Sequence, residues 1–107
     1  MIRVLIADDH KLVRNSLQAL LAREQDMQVV AQAGDGQEAV ALARELAPDV
    51  ILMDIRMPLI DGLEATRQIV RQNHSRVLIV AMFWDEQMVH AVQDTGARGY
   101  VSKMDAS

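Results

Sequence analysis

Five short, unbroken apolar runs, Val4 to Ala7, Val29 to Ala31, Val50 to Met53, Val77 to Ala81 and Tyr100 to Val101, alternate with four longer amphipathic stretches. A run without polar interruptions has no face to offer water, so each reads as a strand covered on both sides, as in a parallel sheet. The stretches between them repeat apolar residues at helical spacing: Val13, Leu17, Leu20 and Leu21, then Ala39, Leu42, Ala43 and Leu46, and later Met88, Ala91, Val92 and Thr95. Each stripe gives a helix one side to lay on the sheet. Residues 63–70 fit a helix less cleanly. Gly34-Asp35-Gly36 turns the chain into the second helix, Pro48 closes the link behind it, and Gly96 ends the fourth. Right-handed crossovers then predict an α/β, doubly wound, five-stranded parallel sheet of order 2-1-3-4-5.

That order reverses between strands 1 and 3, and open α/β sheets bind ligands at the carboxyl edge where it does. Asp8 and Asp9 follow the first run, Asp54 follows the third, Ala81 ends the fourth, and Lys103 stands just beyond the fifth. One Asp after a strand is most simply a helix cap or turn residue. Three brought together repel one another and call for a cation. An oxygen-only donor set suits Mg²⁺, whereas zinc prefers nitrogen and sulfur.

With 107 residues, half of them hydrophobic, the chain suits one domain with a single core. It has no cysteine, so disulfides and thiolate metal sites are excluded. A formal charge of −4 argues against this segment gripping nucleic acid, which needs clustered Lys and Arg. Any DNA contact is expected through another domain. Neither a signal peptide nor a long apolar span is visible, so the expectation is a cytoplasmic protein without a membrane partner.

Ala-Asp-Asp-His at 7–10, Met-Asp-Ile-Arg-Met-Pro at 53–58 with Asp61-Gly62, and Gly-Ala-Arg-Gly-Tyr-Val-Ser-Lys at 96–103 resemble the three signature segments of bacterial two-component response regulator receiver domains. The likeness spans essentially the whole chain and implies the flavodoxin-like, CheY-like fold. Asp-Asp-His, Gly-Asp-Gly-Gln-Glu-Ala, and the lack of a proline after Lys103 look most like receivers attached to a LuxR-type (NarL/FixJ-like) helix-turn-helix output domain. The resemblance implies that Asp54 accepts a phosphoryl group from a phosphohistidine on a sensor histidine kinase. It implies that Asp9, the Asp54 carboxylate and the Arg56 main-chain carbonyl ligate Mg²⁺, that Asp8 holds coordinated water, and that Lys103 stabilises the phosphoryl group. A metal ion on one side and an ammonium on the other suit the charge that phosphoryl transfer develops. The domain is then a phosphoacceptor with at most self-phosphorylation and self-dephosphorylation, and no independent turnover of a small molecule is expected.

One position departs from the family pattern. Receivers usually carry Ser or Thr at the end of the fourth strand, where this chain has Ala81, and that hydroxyl helps an aromatic on strand 5, here Tyr100, rotate inward. A hydrogen bond to a charged group is worth roughly 1.5–3 kcal/mol, so its loss is expected to weaken the switch or leave it on by default. Phe83 and Trp84 follow directly at the rim. Phe83 is read as a shield over an acyl phosphate, and Trp84 as a packing or protein-contact residue. Arg56 either reaches the phosphoryl group or stays a solvated surface residue. His10, His74 and His90 form no metal-ligand spacing and are read as surface or packing residues, and the seven methionines as gap fillers.

A doubly wound domain needs helices on both faces, and no fifth helix precedes Ser107. The expectation is a chain cut short before its last helix, continuing naturally into that helix, a linker and an output domain. Failing that, dimerisation over the bare face is expected. Two functions compete: a phosphorylation-controlled switch, and a phosphorylation-independent interaction or homodimerisation module, which Ala81 and the aromatic rim favour. A flavin-binding protein of the same topology is a distant third, because no phosphate-binding loop follows strand 1.

Overall fold

In the computed structural model, which describes residues 1–72, 75–81 and 84–102, the apolar runs form β1 (Ile2–Ala7), β2 (Met27–Ala33), β3 (Val50–Asp54), β4 (Arg76–Ala81) and β5 (Gly99–Ser102). All pairings are parallel and the strand order is β2-β1-β3-β4-β5, as the alternation predicts. Between the strands lie α1 (Lys11–Leu21), α2 (Gly36–Leu46), α3 (Gly62–Gln72) and α4 (Glu86–Gln93). The third stretch, indistinct in sequence, is as long a helix as the first two.

The two faces of the sheet are filled unequally. Leu5, Ala7, Ile51, Met53, Val77 and Ile79 point into one buried cluster with Ala39, Val40 and Ala43 of α2, Ala65 and Ile69 of α3, and Val92 of α4. Each large aliphatic side chain fully buried there contributes about 1.5–3 kcal/mol. Val4 and Ile6, one residue out of phase, are buried on the opposite face, where α1 lies against β1 and β2. No residue of α1 is fully buried: Val13, Leu17 and Leu21 are half-covered, and Leu20, placed on the stripe by spacing, is exposed on its flank.

Local chemistry fixes the element ends. Asp35 caps α2 by accepting the Glu38 N–H at 2.8 Å, while the Glu38 carboxylate accepts the Gly34 N–H at 3.0 Å, so donors on both sides of the cap are satisfied. The far end of α2 stops on Ala47 in a left-handed conformation (φ 44°), without the glycine that usually takes this geometry. Arg3 of β1 compensates, donating from Nη1 to the carbonyls of Leu46 and Ala47 at 2.7 and 3.2 Å. α4 ends two residues before Thr95, which spacing had assigned to its stripe. Thr95 instead sits buried in the turn, its hydroxyl donating to the Val92 carbonyl, ahead of Gly96 at φ 89°.

Candidate metal and phosphoryl site

The register of the sheet brings the acidic residues together. Ala7, the last residue of β1, pairs with Met53, so Asp8 and Asp54 leave adjacent strands at the same height, and the Asp8 N–H donates to the Ala33 carbonyl of β2 at 3.0 Å. Asp54 in turn pairs with Val80, and Ala81 with Ser102. Asp8 is 1 % exposed and Asp54 7 %, whereas Asp9 opens to solvent. One carboxylate oxygen from each of Asp8, Asp9 and Asp54 and a ring nitrogen of His10 all lie within 4.8 Å of one another. This is the spacing of donors around one cation, and the carboxylate chemistry fits a hard divalent ion such as Mg²⁺.

His10, read from spacing as a surface or packing residue, belongs to this cluster. Its Nδ1 lies 2.9 Å from Asp9 Oδ1 and 3.3 Å from Asp8 Oδ1, while its backbone N–H donates to Asp8 Oδ1 at 2.9 Å. Its side chain is 70 % exposed, as the surface reading expects, and its adjacency to Asp8 and Asp9 in sequence brings the ring to the edge of the cluster. Arg14 on the first turn of α1 was missed. Its Nη1 donates to the Asp8 carbonyl at 2.8 Å and its Nε to the Gln32 side chain at 3.0 Å, pinning the β1–α1 loop to β2.

The loop after β3 is held as tightly. The Gly62 N–H donates to the Ile55 carbonyl at 2.7 Å, and a Cβ on Gly62 would fall 1.8 Å from the Asp54 carbonyl oxygen. Only glycine permits this approach of α3 to the strand end. Asp61 caps the same helix, accepting the Glu64 N–H at 2.9 Å. Arg56 projects from this loop into solvent.

Residues 4–106 match the response regulator receiver domain family. The chain belongs to that family. The receiver is 46 % identical over 104 residues to the transcriptional regulatory protein LiaR of Bacillus subtilis, an alignment covering 96 % of this chain and 49 % of LiaR. It is 45 % identical over 104 residues to the response regulator GacA of Pseudomonas aeruginosa, with the same two coverages. The chain thus spans about half the length of the curated relatives it matches. A solved LuxR-family response regulator from Aurantimonas superposes with a TM-score of 0.92 at 37 % identity, over 97 % of this chain and 75 % of that one. These likenesses place the receiver in the LuxR-type subclass. Receiver domains are signalling proteins of two-component systems rather than enzymes in the ordinary sense.

In this receiver Ala81 is buried at the end of β4, beside the acidic edge. Tyr100 of β5 is 47 % exposed, its ring facing outward onto Trp84. Trp84 is partly buried against the core and its Nε1 donates to the Val101 carbonyl at 3.2 Å, which makes it a packing residue. Lys103, Phe83 and His74 lie outside the described residues. Among the described residues no helix is long and apolar enough to cross a membrane.

Proposed function

We propose that this receiver accepts a phosphoryl group on Asp54 from the phosphohistidine of a sensor histidine kinase. The observation that carries the reading is the convergence of the Asp8, Asp9 and Asp54 carboxylates, from two adjacent strand ends, within 4.8 Å. Asp9, the Asp54 carboxylate and the Arg56 main-chain carbonyl would hold Mg²⁺, and Asp8 would hold a coordinated water. Mg²⁺, when bound, offsets carboxylate repulsion and the negative charge of the incoming phosphoryl oxygens. A carboxylate oxygen of Asp54 attacks phosphorus while the bond to the donor imidazole nitrogen breaks, leaving an acyl phosphate on Asp54 and a free histidine on the kinase. Lys103, one residue past β5, supplies the opposing positive charge, and Phe83 shields the product from water.

The phosphorylated receiver regulates a transcription output in the remainder of a longer protein, acting as a homodimer that meets DNA only through that output domain. The likeness to transcriptional regulators twice this chain's length supports this arrangement. Incubation with acetyl phosphate should add one phosphoryl group with Mg²⁺ present and none after chelation, and Asp54→Asn should remain unmodified. Modification of Asp54→Asn to the wild-type extent would remove the proposal.

A second reading rests on Ala81. Without a hydroxyl at this position, phosphorylation couples weakly to the aromatic pair beyond it, and the domain acts as a phosphorylation-independent interaction module. Unchanged oligomeric state and partner binding in Asp54→Asn would favour this reading over the first.

A further inference from the structure

Of the three clustered carboxylates, those of Asp8 and Asp54 are buried and aimed by their surroundings, whereas Asp9 opens to solvent and has little packing to direct it. We infer that Arg14 on α1 is the positioning residue for Asp9: it fixes the peptide between Asp8 and Asp9, and Gln32 of β2 holds Arg14 in place for that task. The inference rests on the reading of Asp9 as a Mg²⁺ ligand.

A peptide unit is planar, so holding its oxygen orients the nitrogen and Cα at its other end. The Asp8 carbonyl belongs to the unit from which Asp9 departs, and it accepts from Arg14 Nη1 at 2.8 Å. The Asp8 N–H is held as well, donating to the Ala33 carbonyl of β2 at 3.0 Å. Asp8 is thus gripped through both backbone groups, and the Asp9 Cα takes a fixed place beside the buried Asp8 carboxylate.

Arg14 can serve this way because it is itself held. Its Nε donates to Gln32 Oε1 at 3.0 Å, and the Gln32 amide nitrogen donates to the side chains of Asn15 and Gln18 on the same helix. A Cβ on Gly34 would stand 3.4 Å from Arg14 Nη1, so the guanidinium also lies against the loop after β2. The guanidinium is rigid and planar, and its Nε and Nη1 donors therefore set the Asp8 carbonyl at a fixed distance from Gln32. Lysine would keep the charge and lose this fork. Charge and positioning act with opposite signs: a cation beside the site repels Mg²⁺, so removing it should tighten binding, whereas releasing the Asp8–Asp9 peptide should loosen it.

Calorimetric titration of Mg²⁺ into wild type, Arg14→Met, Arg14→Lys, Gln32→Met, the Arg14→Met/Gln32→Met double variant, Asp35→Ala and Asp9→Asn tests this, with urea unfolding of each. Both Arg14 variants should weaken Mg²⁺ binding by about ten-fold or more, the scale on which groups that orient a metal ligand act. Gln32→Met should weaken it by about three-fold in the wild-type background and by less than about 1.5-fold on top of Arg14→Met, because both act through one contact. Asp35→Ala, destabilised at an unrelated helix cap, should bind Mg²⁺ as wild type does, which separates lost stability from lost positioning. Should Arg14→Met fail to fold, Arg14→Lys and Gln32→Met decide. Mg²⁺ binding as tight as wild type or tighter in the Arg14 variants, while Asp9→Asn still weakens it, overturns the positioning role and leaves the site standing. Failure of wild type to bind Mg²⁺, or affinity indifferent to Asp9→Asn, overturns the reading of Asp9 and this inference with it.

Discussion

Trp84 and Tyr100 stack with ring centroids 4.7 Å apart and planes inclined by 45°, and the same tryptophan donates to the backbone of the next residue, Val101. The segment that leads into α4 is therefore tied to β5 through an aromatic pair and a hydrogen bond. Inward rotation of Tyr100, the response expected of a phosphorylated receiver, has to break the stacking, worth about 0.5–1.5 kcal/mol beyond area burial. Ala81 offers no hydroxyl to repay it.

Wild type carrying beryllofluoride and Mg²⁺ should accordingly show a small change in the fluorescence of Trp84, the only tryptophan. Ala81→Thr should enlarge that change, because its hydroxyl adds a contact to a charged group worth roughly 1.5–3 kcal/mol. Identical fluorescence responses in the two proteins would show that position 81 does not limit switching.

Trp84→Ala removes both the stack and the bond to Val101. Tyr100 should then visit the inward orientation without any phosphoryl mimic, seen as a shift of its ring resonances toward those of the beryllofluoride-bound state. Ring resonances that stay where they are in wild type would mean that Trp84 does not hold Tyr100 outward.

Gly62→Ala should be severe for a change of one methyl group. The new Cβ would meet the Asp54 carbonyl oxygen at 1.8 Å, so either α3 or the end of β3 has to move. A loss of about 2–3 kcal/mol, measured by urea denaturation, is expected together with reduced phosphoryl acceptance, since the displaced backbone carries Asp54. Stability and acceptance equal to wild type would contradict the tight approach of this loop.

Asp35→Ala serves as a contrast. It removes the cap of α2 at a residue that is not one of the clustered acidic donors, and should cost about 1 kcal/mol with phosphoryl acceptance intact. The melting temperature and the acetyl phosphate reaction, followed side by side, check both halves of that expectation.

The sheet was legible because its three central strands, β1, β3 and β4, are largely buried and carry unbroken apolar runs, whereas the apolar pair Tyr100 and Val101 of the edge strand β5 is exposed. The site was legible because the strand order follows from the alternation, and the order alone brings Asp8 to Asp54. What escaped depended on partners remote in sequence or on backbone geometry. Nothing near Ala47 announces a left-handed helix end, since the side chain that satisfies its carbonyls, Arg3, lies 44 residues earlier. His10 is exposed, as its surface reading expects, and only its adjacency to Asp8 and Asp9 brings its ring to the edge of the cluster. The extra residues at each end of β2 are polar or alternating and are recruited by pairing with β1, not by their own hydrophobicity.

The central claim is that the carboxylate of Asp54 itself becomes an acyl phosphate. Treating the acetyl phosphate-modified receiver with borohydride converts such an acyl phosphate to homoserine, which tandem mass spectrometry locates by residue. Homoserine at position 54, dependent on Mg²⁺, is the predicted result; a phosphorylated protein with an intact aspartate at 54 and the reduced residue elsewhere would contradict it.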